Sequence, residues 1–334
     1  MSSAQQPGRS CPLHYRYTPE SLNRAADFSA DTLYVIGGLY GNALALRAIE
    51  ELAAAEAVAP TLAFNGDFNW FNIDAAGYRT INEAVLRRHA LRGNVETELA
   101  NDDDTAGCGC GYPDNVSAAE VERSNAILTR LRETAKAFPE LRTQLAALPM
   151  NLVAQVGKLR IAIVHGDCES LAGWSYDESA LRDAPGIARA AAHCQAARVN
   201  IIASSHTCLP VALTLDAGNS SAALFNNGAA GMPNFAGTSF GVITRISKTP
   251  AQTPATLYGT VNDGIHIDAL AVHYDQTGWQ DAFTANWPEG SAADLSYGKR
   301  ISNGPRYGLN RAMGSGIRIS RTLLQQVRTA GGQS

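Results

Sequence analysis

Four polar residues stand at one recurrent place in the sequence, just beyond the end of an apolar run: Asp67 after "AFNG", Asn94 after "LRG", His165 after "AIV" and His206 after "IIASS". Apolar runs this short predict strands. In open α/β sheets the carboxyl ends of the strands, where helix N-termini converge, are where ligands bind. A single Asp or His there is commonly a cap or a hydrogen-bonded loop residue. The joint pattern carries the argument: a carboxylate, an amide and two imidazoles that can meet in space form a candidate ligand site.

The elements that would position these residues follow from periodicity and caps. "TLYVI" (32–36), "TLAF" (61–64) and "HAL" (89–91) predict strands, with helices over 42–56 and 74–88 between them, a βαβαβ order. The stretch 100–115, with Asp102, Asp103 and Asp104, lacks periodicity and predicts an exposed loop. Ser117 and Glu120 form a capping box that opens a helix to about residue 136, and a further helix spans 140–147. "NLVAQV", the Gly157-Lys158 turn and "LRIAIV" predict a hairpin, and "VNIIAS" a strand ending before His206. "VALTL", "SAALF", "SFGVITRI", "ATLYG" and "IHIDALAVHY" extend the β structure. Thr18 and Pro19 predict a short helix over 18–28. The expectation is one α/β domain of two mixed β-sheets sandwiched between helices, with the tail after residue 275, which carries Trp279 and Trp287, packed on its surface.

Bulk properties narrow the partner. The chain has 334 residues, 45% of them hydrophobic, enough for a sizeable core. Its net charge is −4, from 27 basic and 31 acidic residues, with no basic run. The electrostatic footprint of a nucleic-acid or anionic-membrane binder is therefore missing, and a small molecule is the expected partner. The longest apolar runs have strand length, and the polar N-terminus lacks an apolar signal core, which predicts a soluble, cytoplasmic protein. Cys11, Cys108, Cys110, Cys168, Cys194 and Cys208 are too few and scattered for a disulfide scaffold and are expected to be reduced. Gly37, Gly38 and Gly41 do not match the spacing of a dinucleotide-binding loop.

Taken in order, the segments "GGLYGN" (37–42), "NGDFNWF" (65–71), "RGNVE" (92–96), "VHGD" (164–167), "SSHTCLP" (204–210) and "NNGAAGMPNF" (226–235) resemble the motif series of the calcineurin-like metallophosphoesterases. The resemblance covers roughly residues 32–274. It implies the calcineurin-like phosphoesterase fold over 31–275, with 100–116 as a Cys/Asp-rich insertion, 1–30 as an N-terminal extension and 276–334 as a tail.

The family's ligand set for one metal maps onto Asp67, Asn94, His165 and His206. Of the set for the other metal only the shared Asp67 remains: Gly38 stands for an Asp, Tyr40 for a His and Cys208 for the last His. The resemblance thus implies a two-metal site pared to one ion or rebuilt with other ligands, Cys208 foremost. The donor set suits Mn²⁺, Fe²⁺ or Zn²⁺, and such an ion would activate water against a small phosphomonoester or phosphodiester.

Val95 occupies the place of the imidazole that the family is taken to use on the leaving group. The candidate catalytic residues are Asn94 and Asp167, the latter as an orienting or acid–base carboxylate. Tyr40 and Trp70 are expected to cover the pocket. Two other readings stay open: a metal-binding member that no longer hydrolyses phosphate, and an iron or redox site using Cys208, Cys168 and the glycine-flanked pair Cys108 and Cys110.

Overall fold

The computed structural model describes residues 7–9, 12–218, 221–321 and 323; Cys11 lies outside them. Among the described residues two mixed sheets are present. The strands are β1 (Phe28–Ala30), β2 (Thr32–Ile36), β3 (Thr61–Asn65), β4 (His89–Leu91), β5 (Asn151–Val156), β6 (Leu159–Val164), β7 (Ile201–Ser204), β8 (Val211–Asp216), β9 (Ser221–Asn226), β10 (Gly241–Ser247), β11 (Thr256–Asn262), β12 (Ile265–Val272) and β13 (Arg318–Ile319). One sheet runs β13-β11-β12-β10-β2-β3-β4 and the other β1-β5-β6-β7-β9-β8. The helices are α1 (Ala43–Ala54), α2 (Ala75–Val85), α3 (Asn94–Ala100), α4 (Ala118–Lys136), α5 (Pro139–Ala147), α6 (Ala184–Ala197), α7 (Gln276–Asn286) and α8 (Lys299–Asn303).

Strands such as β2 and β6 bury apolar side chains on both faces because both faces are covered. In β2, Leu33 and Val35 join the cluster between the sheets, while Tyr34 and Ile36 join the outer cluster under α1 and α2. In β6, Ile161 and Ile163 point between the sheets, and Ala162 and Val164 point to the layer under α6. Successive side chains of a strand alternate faces, so an unbroken apolar run here means helices on both outer sides. Burying each Ile or Val side chain stabilises the fold by about 1.5–3 kcal/mol.

Parallel pairing of β2, β3 and β4, with α1 and α2 as crossovers, brings their carboxyl ends to one edge. Parallel pairing of β6, β7 and β9 does the same in the other sheet. Asn42 caps α1, its Oδ1 accepting from the N–H groups of Leu44 and Ala45, and Asp74 caps α2. The capping box of Ser117 and Glu120 opens α4 as expected.

One local expectation is corrected. The helix expected over 18–28 is a single 3-10 turn, Pro19–Leu22, followed by β1, which pairs parallel with β5. Four helices went unforeseen: α3, whose polar sequence hides it behind Gly93-Asn94, α6, whose Ala-rich sequence lacks a strong apolar stripe, and α7 and α8 in the tail. Beyond residue 275 the chain packs onto the domain, as expected. Trp279, Phe283 and Trp287 are buried, and the Trp287 indole N–H donates to the Phe71 carbonyl at 3.0 Å.

Candidate metal centre

The four strand-end residues meet. His165 Nε2 lies 3.3 Å from Asp67 Oδ2, 3.2 Å from Asn94 Oδ1 and 3.1 Å from His206 Nδ1. All four side chains are buried. Among the described residues, Asp67, His165 and His206 form the group whose His, Cys or carboxylate donor atoms all lie within 4.8 Å of one another.

The outward atoms of these groups reveal what the inward atoms are. His165 Nδ1 is 2.9 Å from the Asn65 carbonyl and His206 Nε2 is 3.0 Å from the Cys110 carbonyl. A carbonyl only accepts, so each of those nitrogens carries the proton. Asn94 Nδ2 donates to the Cys108 carbonyl at 2.9 Å, which turns Oδ1 inward. What converges is therefore the two remaining imidazole nitrogens, an amide oxygen and a carboxylate oxygen.

Four acceptors facing one another repel unless a proton or a cation lies among them. Separations of 3.1–3.3 Å match neighbouring ligands around an ion with bonds of about 2.0–2.2 Å. Backbone carbonyls that hold the remote N–H of a ligating imidazole are the usual second layer of such sites.

The electrostatics of the centre favour a positive charge among these groups. Burial, with the neighbouring His165 adding to it, pushes His206 down to about 3, so it is neutral. Burial opposes ionisation of Asp67, but His165 beside it holds its carboxyl below the usual carboxylate range. Burial likewise opposes a charge on His165, and Asp67 outweighs it and raises the imidazole. Without an ion, the pair favours a proton on His165 Nε2 facing the Asp67 carboxylate, at the position a metal would take.

Backbone geometry holds Asp67 there. It adopts a left-handed conformation, φ 50°, and its Oδ1 accepts from the Val95 N–H at 3.1 Å, at the start of α3. Gly93 is necessary, because a Cβ on it would fall 2.2 Å from Asp67 Oδ1. The buried carboxylate of Glu96 accepts from the N–H groups of Asp67, Phe68 and Gly93 at 2.7–3.0 Å. Burial and then the charge of Asp67 push Glu96 up to about 7. Sequence reasoning passed over Glu96; its signal was an acidic residue three positions after Gly93 at a helix start.

A cavity of about 40 Å³ adjoins the centre, lined by Asp67, Asn94, Val95, His206, Cys110, Cys208 and five aromatic rings: Tyr40, Trp70, Tyr112, Trp174 and Tyr297. Trp174 stands edge-on to His206, ring centres 5.3 Å apart, and its indole N–H donates to the Cys110 carbonyl at 3.0 Å. Tyr40 and Trp70 line the pocket, as expected. Tyr112, Trp174 and Tyr297 escaped the sequence reading, since nothing in their local spacing points to a site.

The remaining sequence candidates sit differently. Asp167 is buried but is not among the cavity-lining residues. Its carboxylate accepts from the N–H groups of Glu169, Ser170 and Ser175 at 2.9–3.1 Å. An acid–base role does not fit a carboxylate spent on its own loop; Asp167 instead shapes the loop that carries Trp174. Cys168 packs with Val164, Tyr176 and Cys194 in the core under α6. Cys108 and Cys110 face the site through their carbonyl oxygens, and the Cys110 thiol, which also lines the cavity, is pushed well up by burial. Cys208 Sγ stands outside the Asp67–His165–His206 group and lies 3.0 Å from Tyr40 Oη.

No protein-family model matches the chain, and no curated protein matches it. Solved structures do. A metallophosphoesterase from Sphaerobacter thermophilus matches with a TM-score of 0.53 at 17% identity, covering 83% of this chain and 100% of that one. A hypothetical protein from Pyrococcus horikoshii OT3 matches with a TM-score of 0.54 at 17% identity, covering 83% of this chain and 99% of the other. The chain has the calcineurin-like phosphoesterase fold, two mixed sheets between helices. No described helix is long and apolar enough to cross a membrane.

Proposed function

We propose that the protein is a divergent calcineurin-like metal-dependent phosphoesterase that hydrolyses a small phosphomonoester or phosphodiester. Asp67, Asn94, His165 and His206 hold one divalent ion, Mn²⁺, Fe²⁺ or Zn²⁺. The observation that carries this reading is His165 Nε2 lying 3.1–3.3 Å from an Asp67 carboxylate oxygen, the Asn94 amide oxygen and His206 Nδ1, each group fixed from behind by the backbone. When bound, the ion would polarise a phosphoryl oxygen and make a water more acidic.

The chain's own residues do the rest. The carbonyls of Asn65, Cys108 and Cys110 hold the two imidazoles and the amide with their acceptor atoms inward. Glu96 fixes the turn that aims Asp67, and Asp167 fixes the loop that sets Trp174 against His206. The aromatic rings exclude bulk water. Nothing here favours nucleic acid or membrane as partner; a small phosphate ester in the cytoplasm is the proposed setting.

Two observations favour a second reading. The cavity, about 40 Å³, has room for little more than one water, and Val95 leaves no imidazole beside a leaving group. A member that keeps one metal as a binding or scaffold centre fits those two facts. Metal content and hydrolysis of aryl phosphomonoesters and bis-aryl phosphodiesters, wild type against His206→Ala, separate the readings. Metal-dependent turnover lost in the variant supports the hydrolase; bound metal with no turnover on either ester class supports the scaffold; absence of metal from the wild type defeats both.

A further inference from the structure

Two groups of the metal centre are held from behind by one loop. The Cys108 carbonyl accepts from Asn94 Nδ2, and the Cys110 carbonyl accepts from His206 Nε2 and from the Trp174 indole. Residues 105–116 form turns and irregular backbone, so no helix or sheet ladder sets where those carbonyls point. Contacts from elsewhere in the chain must fix them.

Pro7, Gly8 and Arg9 supply those contacts. Gly8 is buried and pairs with the loop twice, its N–H donating to the Ala106 carbonyl at 2.8 Å and its carbonyl accepting from the Tyr112 N–H at 2.9 Å. The Arg9 guanidinium donates through Nη1 to the Pro113 carbonyl at 2.7 Å and through Nη2 to the Val116 carbonyl at 2.6 Å. Asn125 of α4 closes the arrangement: its Nδ2 donates to the Pro7 carbonyl at 3.2 Å, and its Oδ1 accepts from the Cys108 N–H at 2.9 Å. The fit requires glycine at position 8, where φ is +84° and a Cβ would lie 2.8 Å from Val121 Cγ1 and 2.9 Å from Asn125 Oδ1. A rigid fork of donors lets one arginine pin two carbonyls at once, which the single ammonium of lysine does less well.

We propose that Arg9 is a positioning residue for the metal centre. By clasping the loop it sets the Cys108 and Cys110 carbonyls that orient Asn94 and His206, and through them the affinity for the ion. This rests on the reading of Asp67, Asn94, His165 and His206 as a metal centre.

Two readouts on the full chain test it, the first without metal. Nitrogen-15 NMR follows the Trp174 indole N–H and the His206 ring N–H, both bonded to the Cys110 carbonyl, with the Trp287 indole N–H, bonded to the Phe71 carbonyl, as internal control. In Arg9→Ala the first two should shift and exchange with solvent about tenfold faster, the effect of one or two lost hydrogen bonds, while the Trp287 signal stays in place. Gly8→Ala should do the same, and Arg9→Lys should fall between Arg9→Ala and wild type. The second readout is zinc affinity, expected to drop about tenfold in Arg9→Ala and Gly8→Ala and less in Arg9→Lys. Unmoved Trp174 and His206 signals in Arg9→Ala overturn the proposal. A Trp287 signal that moves with them also overturns it, because the loss is then general. Zinc binding that is present in the wild type and unchanged in Arg9→Ala overturns it and leaves the proposed function standing. A wild type that binds no zinc removes both together.

Discussion

His206 donates its Nε2–H to the carbonyl of Cys110 at 3.0 Å, and the same oxygen accepts the indole N–H of Trp174 at 3.0 Å. One backbone atom of an otherwise irregular loop thus fixes an imidazole tautomer and the ring packed against it. The Cys-Gly-Cys segment serves the centre mainly through its peptide groups, and that yields a prediction about which atoms matter.

Gly109→Ala is expected to weaken metal binding about ten- to hundredfold, the usual cost of disturbing partners behind the ligands. Gly109 has φ +66°, and a Cβ on it would fall 2.4 Å from the Tyr15 hydroxyl, shifting the carbonyls on either side. Cys110→Ser, which keeps those carbonyls in place, should leave affinity within about threefold. Isothermal titration with Zn²⁺ reads both; equal losses in the two variants would contradict the carbonyl role.

Glu96→Gln is expected to cost about 2–4 kcal/mol of stability, measured by urea unfolding of the metal-free protein. The carboxylate takes three backbone N–H groups and the Asn69 amide. A carboxamide offers one acceptor oxygen and turns two donors toward donors, leaving buried groups unpaired. A cost below 0.5 kcal/mol, on the order of a surface change, would show that the turn holds Asp67 without it.

Asp268 gives a pH dependence away from the site. It lies, half-buried, in a cluster with the buried Arg245 and with Glu56, Arg245 Nη1 at 3.4 Å. Burial pushes it up to about 6 from 3.8, the attraction of Arg245 offsetting only part of that cost. A carboxyl with a raised folded value favours the folded state fully below 3.8, and that contribution is lost as pH rises through about 6. Glu56, held below 4.5 by Arg245 against the opposing effect of burial, acts in the opposite sense and only at lower pH. Asp268→Asn should therefore flatten the stability profile between pH 4 and 7 and be more stable than wild type at pH 7, by about 2 kcal/mol. Parallel profiles for the two proteins would refute the assignment.

Tyr297→Ala opens the aromatic wall without touching a ligand. Tyr297 sits in a π-helical turn, Asp294–Gly298, edge-on to Trp70 at 6.5 Å between ring centres. If the protein is a phosphoesterase, hydrolysis of bulky bis-aryl phosphodiesters should rise several-fold relative to small monoesters. An unchanged ratio would mean that substrate enters elsewhere.

The layered fold was legible because alternation in β2, β6 and β7 carries two kinds of apolar face, and because Asn42, Asp74 and Ser117 sit where helices start. The four central side chains were legible as strand-end residues in series. What escaped has a common physical cause. Asn65, Cys108 and Cys110 act through carbonyl oxygens that every residue possesses, so residue type is silent about them. Trp174, Tyr112 and Tyr297 reach the cavity from three separate segments with no shared spacing. Asp167 misled because a carboxylate two positions beyond a histidine looks the same whether it faces the cavity or its own loop.

Asp67 and Asn94 follow β3 and β4 of one sheet, whereas His165 and His206 follow β6 and β7 of the other. A cation held by all four would rivet the two halves of the sandwich at one end. Any sliding of the halves would pull its donors apart in opposite directions, so the interior apolar packing, far from any chemistry, sets the tolerance to which the centre is machined.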